Sequence, residues 1–220
     1  GSENSAFGHS ALFANTTGSS NTSVGSNALA SNTTASNNTA VGKEALTANT
    51  SGDQQVAIGA GALQKTTTGS FNVAVGYEAL DENTTGTRNT AVGLVALRQN
   101  TSGTENTAIG ANSLDANTTA SYNTAVGKDT LTSNTTGEGN SALGRRSMST
   151  NTTGNYNVAV GQDSSFHNST GSSNVAVGYG ALQENTTSNN TAVGHTALLN
   201  NTTGQYNVAV GSLCLDANTT

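Results

Sequence analysis

One glycine recurs along this chain at a fixed interval, and that interval leaves few architectures open. Gly8, Gly25, Gly42, Gly59, Gly76, Gly93, Gly110, Gly127, Gly144, Gly161, Gly178, Gly194 and Gly211 are 17 residues apart, except for the 16-residue step from Gly178 to Gly194. The 220 residues divide into thirteen copies of G-s-x-N-[TV]-A-V-G-x-x-A-L-x-x-N-T-T, the twelfth (188–203) one residue short near its start. Numbering each copy from its first residue defines seventeen rows. Self-similarity at so short a period is the mark of a solenoid, in which each coil packs only on its neighbours. Residues 1–220 therefore read as one repeat array. Neither end has an atypical capping copy, so the array is expected to be a segment of a longer fibre.

The contents of the rows select the kind of coil. Row 8 is glycine in all thirteen copies and row 1 in ten, accounting for 23 of the 26 glycines. Such regular glycines mark corners that need positive φ or close backbone approach. With β-branched residues beside them and Asn-Thr-Thr runs between, a helix is excluded. An all-β parallel solenoid of thirteen 17-residue coils remains, each coil expected to supply two short strands. A conventional globular core is not expected, because charged residues are only 9% and aromatics 4%, with no Trp or Pro.

Strand periodicity sends rows 5 and 7 one way and row 6 the other. The bulkier rows are expected to fill the coil: Val41, Ile58, Val75, Val92, Ile109 and Val126 of row 7, with Leu46, Leu63, Leu80, Leu97, Leu114 and Leu131 of row 12. Row 6 should then form an outward alanine stripe at which another chain approaches: Ala6, Ala40, Ala57, Ala74, Ala91, Ala108, Ala125, Ala142, Ala159, Ala176, Ala192 and Ala209.

Two polar rows stand out. Row 4 is Asn in twelve copies, with Gln55 the exception, and row 15 is Asn in twelve, with Thr66 the exception. Stacked coils would turn both into amide ladders that also cap turn backbone. The same row 15 Asn-x-Thr/Ser tripeptide is an N-glycosylation acceptor at Asn15, Asn32, Asn49, Asn83, Asn100, Asn117, Asn134, Asn151, Asn168, Asn185, Asn201 and Asn218. Further acceptor tripeptides start at Asn21, Asn37, Asn189 and Asn200. Ladder and glycan are alternative uses of one pattern.

Catalytic signals are nearly absent from the sequence. His9, His167 and His195 are far apart and have no repeated carboxylate or Cys beside them, so no metal site or triad is expected, no cofactor and no enzymatic activity. Asp81–Glu82 and Gln183–Glu184 read as solvated outward positions. Residues 144–167 replace the usual Ala-Leu pair in two successive coils, with Met148 and Phe166 expected to refill the Leu row and a ligand or partner contact as the alternative. Phe71, Tyr122, Tyr156 and Tyr206 share the variable third row, placed for a sugar or partner. Seven Lys and Arg against thirteen Asp and Glu, without a basic cluster, argue against nucleic acid. No stretch is long and apolar enough to insert into a membrane.

The N-[TV]-A-V-G-x-x-A-L motif, separated by N-T-T-G and closest in Gln55-Val56-Ala57-Ile58-Gly59, resembles the head repeats of trimeric autotransporter adhesins. It is similar also to N-T-A-V-G repeats of tail-fibre-like proteins. The resemblance implies a left-handed parallel β-roll and three identical chains side by side. It implies an extracellular or cell- or virion-surface fibre whose partners are itself and a host receptor or glycan. A non-enzymatic structural and adhesive fibre is the function expected. The alternatives are an ice-binding solenoid with threonine arrays in rows 5, 16 and 17, and a fibril clad in glycans on its Asn-Thr-Thr ladder.

Overall fold

The computed structural model describes residues 1–219, none of them helical. The chain forms two compact units, one over Gly1–Asn106 and one from Thr107 onward. Each is a parallel β-solenoid built on the 17-residue period. In the first, β1 (Ser5–Phe7), β2 (Thr22–Val24), β3 (Thr39–Val41), β4 (Val56–Ile58), β5 (Val73–Val75) and β6 (Thr90–Val92) pair in chain order. In the second, β7 (Thr107–Ile109), β8 (Thr124–Val126), β9 (Ser141–Leu143), β10 (Val158–Val160), β11 (Val175–Val177), β12 (Thr191–Val193) and β13 (Val208–Val210) do the same. Register joins like to like, Ala57 opposite Ala74 and Ile58 opposite Val75.

Each strand ends on the row 8 glycine. Gly59 has φ +136°, and a Cβ there would lie 2.3 Å from the carbonyl oxygen of Gly76 in the next coil. No other residue tolerates both the backbone angle and the approach. Beyond it the expected second strand does not form. In the third coil φ turns positive at Glu44 (+61°) and again at Leu46 (+51°), so the chain folds on itself and cannot extend. Its backbone groups still reach the neighbouring coils. The Leu46 N–H donates to the Ala62 carbonyl (3.0 Å) and the Glu44 N–H to the Ser26 carbonyl (2.9 Å). The side without strands is therefore also hydrogen-bonded between coils, with other N–H groups such as those of Ala45 and Asn49 donating within their own coil.

The interior reverses half of the sequence expectation. Leu46, Leu63, Leu80, Leu97, Leu114 and Leu131 are fully buried, as their bulk suggests. The row 6 alanines are buried too: Ala40, Ala57, Ala74, Ala91, Ala108, Ala125, Ala159, Ala176, Ala192 and Ala209 at 0% exposure and Ala142 at 2%, leaving only Ala6 of that row exposed. They cannot form an outward stripe. Row 7 points out instead, with Ile58 and Ile109 about two-fifths exposed and Val41, Val75, Val92 and Val126 half-buried. The two-residue period holds, but its phase is inverted. A coil this narrow brings the strand close to the wall carrying rows 11 and 12, and the gap takes a methyl against a leucine where a valine would overpack.

The short twelfth coil loses its residue at the turn where other copies place the row 1 glycine. The Thr187 carbonyl takes over that role, accepting from Asn174 Nδ2 (2.8 Å) and Asn185 Nδ2 (2.7 Å). Strand register survives, with Ala176 opposite Ala192.

Candidate functional site

The repeated asparagines are structural. In row 4 backbone N–H groups donate to the side-chain oxygen of the Asn one coil earlier, as from Asn89 to Asn72 Oδ1 (2.9 Å). In row 15 the amide itself forms the ladder, Asn100 Nδ2 donating to Asn83 Oδ1 (2.9 Å). The two ladders converge on the row 1 carbonyl. Gly86 O accepts from Asn72 Nδ2 (2.9 Å) and Asn83 Nδ2 (3.1 Å), and Gly103 O from Asn89 Nδ2 (2.8 Å) and Asn100 Nδ2 (3.1 Å). The row 1 carbonyl is thus buried without being orphaned, although Asn151 Oδ1 in the row 15 ladder has no partner.

This arrangement turns the row 15 acceptor asparagines into the folded chain. Asn32, Asn49, Asn83, Asn100, Asn117, Asn134, Asn151, Asn168, Asn185 and Asn201 are fully buried. Asn15 and Asn218 are half-buried, and Asn15 donates to the Gly18 carbonyl (3.0 Å). Row 16 threonines are also committed, Thr33 Oγ1 donating to the Thr50 carbonyl (3.0 Å) and Thr84 Oγ1 to the Thr101 carbonyl (3.0 Å). The hydroxyl array expected in that row therefore faces the neighbouring coil.

The outward side of the strands is a regular surface that carries apolar side chains. Row 5 holds only Ser, Thr and Val, and row 7 only Val, Ile, Leu and Phe, in all thirteen copies. All 20 Lys, Arg, Asp and Glu residues stand in rows 2, 3, 9, 10, 13 and 14. In each unit the sheet therefore presents an uncharged face two rows wide, with coils ~4.8 Å apart by strand spacing.

Among the charged rows, three places depart from the repeat. In the first unit a hollow over Gly61 is lined by Lys43, Glu44, Gln64, Tyr77 and Glu78. Gln64 Nε2 donates to Glu44 Oε2 (3.1 Å), and a hydrogen bond with Glu78 holds the Tyr77 phenol above its ordinary pKa. Nearby, Asp81 is buried, not solvated as its sequence context suggested, and its Oδ1 has no partner. Burial foremost, against the pull of Lys65, raises its pKa. Glu82 instead turns out to pair with Lys65.

In the second unit, Met148 refills the Leu row as expected but Phe166 does not. Ser165 takes that place, fully inside, with an unpartnered Oγ. Phe166 lies outside beneath the Arg146 guanidinium (5.0 Å), and Arg146 Nε donates to Asp163 Oδ1 (2.7 Å). That bond holds Asp163 below the usual carboxylate range.

The three histidines stay apart. His9 contacts Ser10, His167 lies 3.7 Å from Glu184, and His195 stacks on Tyr179. No group of three metal-ligating side chains occurs among the described residues. The row 3 aromatics are exposed: Arg88 covers Phe71 (5.7 Å), and the Tyr156 ring lies against Gly139. No family model matches the chain, and a search of curated proteins finds no match.

Proposed function

We propose that this chain is a non-enzymatic segment of an extracellular structural and adhesive fibre, in which three copies pack side by side through rows 5 and 7. One observation carries the reading. Across all thirteen copies, of the outward rows free of charge only those on the strand face carry Val, Ile, Leu or Phe, whereas rows 16 and 17 hold only Ser and Thr. Exposed Ile58 and Ile109 lie in that face, and regular apolar surface of this kind marks a contact. The buried alanines have no part in it. The charged and aromatic rows remain outward for a receptor or glycan. Sedimentation velocity of the chain and of a variant with Val75→Lys and Val126→Lys tests the proposal. A trimer that dissociates in the variant, with the β spectrum unchanged, is expected; a monomeric parent chain, or a trimer indifferent to both lysines, overturns it.

A second reading is favoured by the same face. Thr22, Thr39, Thr90, Thr107, Thr124 and Thr191 aim their side chains outward from row 5 beside the row 7 methyls. A flat array of hydroxyls and methyls at strand spacing suits an ice lattice. Thermal hysteresis in the parent chain, abolished by Thr39→Lys and Thr124→Lys, would move the function there.

A further inference from the structure

Sixteen Asn-x-Ser/Thr tripeptides occur in the sequence, and the fold sorts them sharply. Twelve belong to the row 15 ladder. Asn21 is 1% exposed, its Nδ2 donating to Asn4 Oδ1 (3.1 Å) and the Ala35 carbonyl (2.9 Å). Asn200 is exposed, but its Nδ2 donates to the Asp216 carbonyl (2.8 Å). Asn37 and Asn189 are different. Both are exposed, both sit in row 3 of their coils, and neither side-chain amide donates a hydrogen bond among the described residues.

Their geometry is nearly the same. Asn37 has φ +62° and Asn189 φ +64°, a left-handed turn conformation that asparagine adopts more readily than most residues. The turn throws the side chain out of the coil, while the backbone N–H groups donate to Ser19 O and Ser172 O (3.0 Å each). Two residues on, Thr39 and Thr191 lie in outward row 5, so the hydroxyl that the acceptor tripeptide requires is not turned into the coil. The residue between them, Asn38 or Asn190, is buried in the row 4 ladder and fixes the segment.

We infer that Asn37 and Asn189 are the N-glycan acceptors of the folded chain, and that the Asn-Thr-Thr ladder is not. The co-substrate is a sugar activated at C1 through a nucleoside diphosphate. The amide nitrogen of Asn37 or Asn189 forms the bond to C1 as the C1–O bond to the diphosphate breaks. The nucleoside diphosphate departs, and the amide proton passes to a base of the transferase. No oxidation change is involved. A sugar at either position extends into solvent without breaking a ladder bond, whereas one on Asn83 would displace the amide from both Thr66 and the Gly86 carbonyl.

The test incubates the folded chain with a soluble asparagine glycosyltransferase and UDP-glucose, followed by intact mass and peptide mapping. Synthetic peptides spanning the Asn83 and Asn37 tripeptides report on what the enzyme accepts when no fold intervenes. Two hexoses per chain, mapped to Asn37 and Asn189, are expected, one in Asn37→Gln or Asn189→Gln, and none in the double variant. Both peptides should be modified. Hexoses on ladder asparagines of a chain that retains its β spectrum overturn the inference. So does a folded chain left bare while the Asn37 peptide is modified.

Discussion

Leucine at φ near +50° is strained by ~1–2 kcal/mol, yet Leu29, Leu46, Leu63, Leu80, Leu97, Leu114 and Leu131 all adopt it. Burial offsets the strain, since a fully buried leucine contributes ~1.5–3 kcal/mol. Ser165 has the same left-handed backbone at φ +50° and is as buried, but it brings no apolar side chain to the leucine row, and its Oγ is left unpartnered. Ser165→Leu should therefore raise the unfolding free energy by ~1–2 kcal/mol, read from the urea midpoint at constant m-value. A second residue is mispriced by its surroundings in a way that depends on pH. Burial raises the Asp81 carboxyl pKa, so between the unfolded and folded values the native state holds more protons than the unfolded one. Stability then falls as pH rises through that window and stays lower above it. Asp163 has the opposite sign: Arg146 lowers its pKa, so its contribution is full above the unfolded value and is lost as pH falls through the folded one. Asp81→Asn should raise the melting temperature at pH 7 and leave it unchanged below the unfolded carboxylate range. Melting curves from pH 3 to 7 that run parallel in the two proteins would remove Asp81 as the cause.

At the scale of one coil, the departures from the repeat compensate one another. Gln55 and Thr66, the single exceptions in the two asparagine rows, fall in the same coil. Thr66 cannot offer an amide to Asn49, and Gln55, one methylene longer than Asn, reaches across so that its Nε2 donates to Asn49 Oδ1 (3.2 Å). Its Oε1 meanwhile accepts from Asn72 (3.2 Å) and continues the row 4 ladder. Gln55→Asn and Thr66→Asn should each destabilise by ~1 kcal/mol, the first by removing the glutamine's bond to Asn49 Oδ1, which keeps only the Gly52 N–H, and the second by crowding the glutamine. The double variant should be near neutral, and a double-mutant cycle that sums additively would disprove the exchange. Both exceptions were visible in the sequence at their rows, but the exchange between them was not; the coil count, the glycine corners, the ladders and the leucine core were legible. The direction of the strand was not. Alternation separates row 6 from rows 5 and 7 but does not say which set faces in, and choosing by bulk fails where the interior is too thin for bulk. The missing second strand was hidden for a related reason, since nothing in Ala-Leu announces a leucine at positive φ. Ala74→Val should accordingly cost ~1–3 kcal/mol by overpacking, while Val75→Thr on the outward face changes monomer stability little. Equal losses in the two variants would contradict the burial pattern.

For each unit as a whole, stability is a sum over neighbours. Strand pairing, the leucine row and both amide ladders all join residue i to residue i+17, as in Ala57 with Ala74, Asn100 with Asn83, and Asn89 with Asn72. A coil therefore has no partner beyond the ones above and below it, and a chain of such units behaves as a one-dimensional array of intrinsic and interfacial terms. The natural one-residue shortening at Thr187 shows where the period can be cut: at the turn, where another carbonyl can replace the row 1 carbonyl and receive the same two amides. Excision of residues 69–85, one full coil, brings coil 4 onto coil 6 with every row in register, and should preserve the β spectrum at a loss equal to one coil and one interface. Excision of residues 69–76 removes fewer residues and fewer contacts, yet it sets Gly-rich corners against strands and amides against methyls in the coils on either side. The shorter deletion should be the more damaging, and circular dichroism with denaturant titration of the two proteins distinguishes the cases. If loss of stability followed the number of residues removed, the unit would have a shared core, and the ladder account of its cohesion would fail.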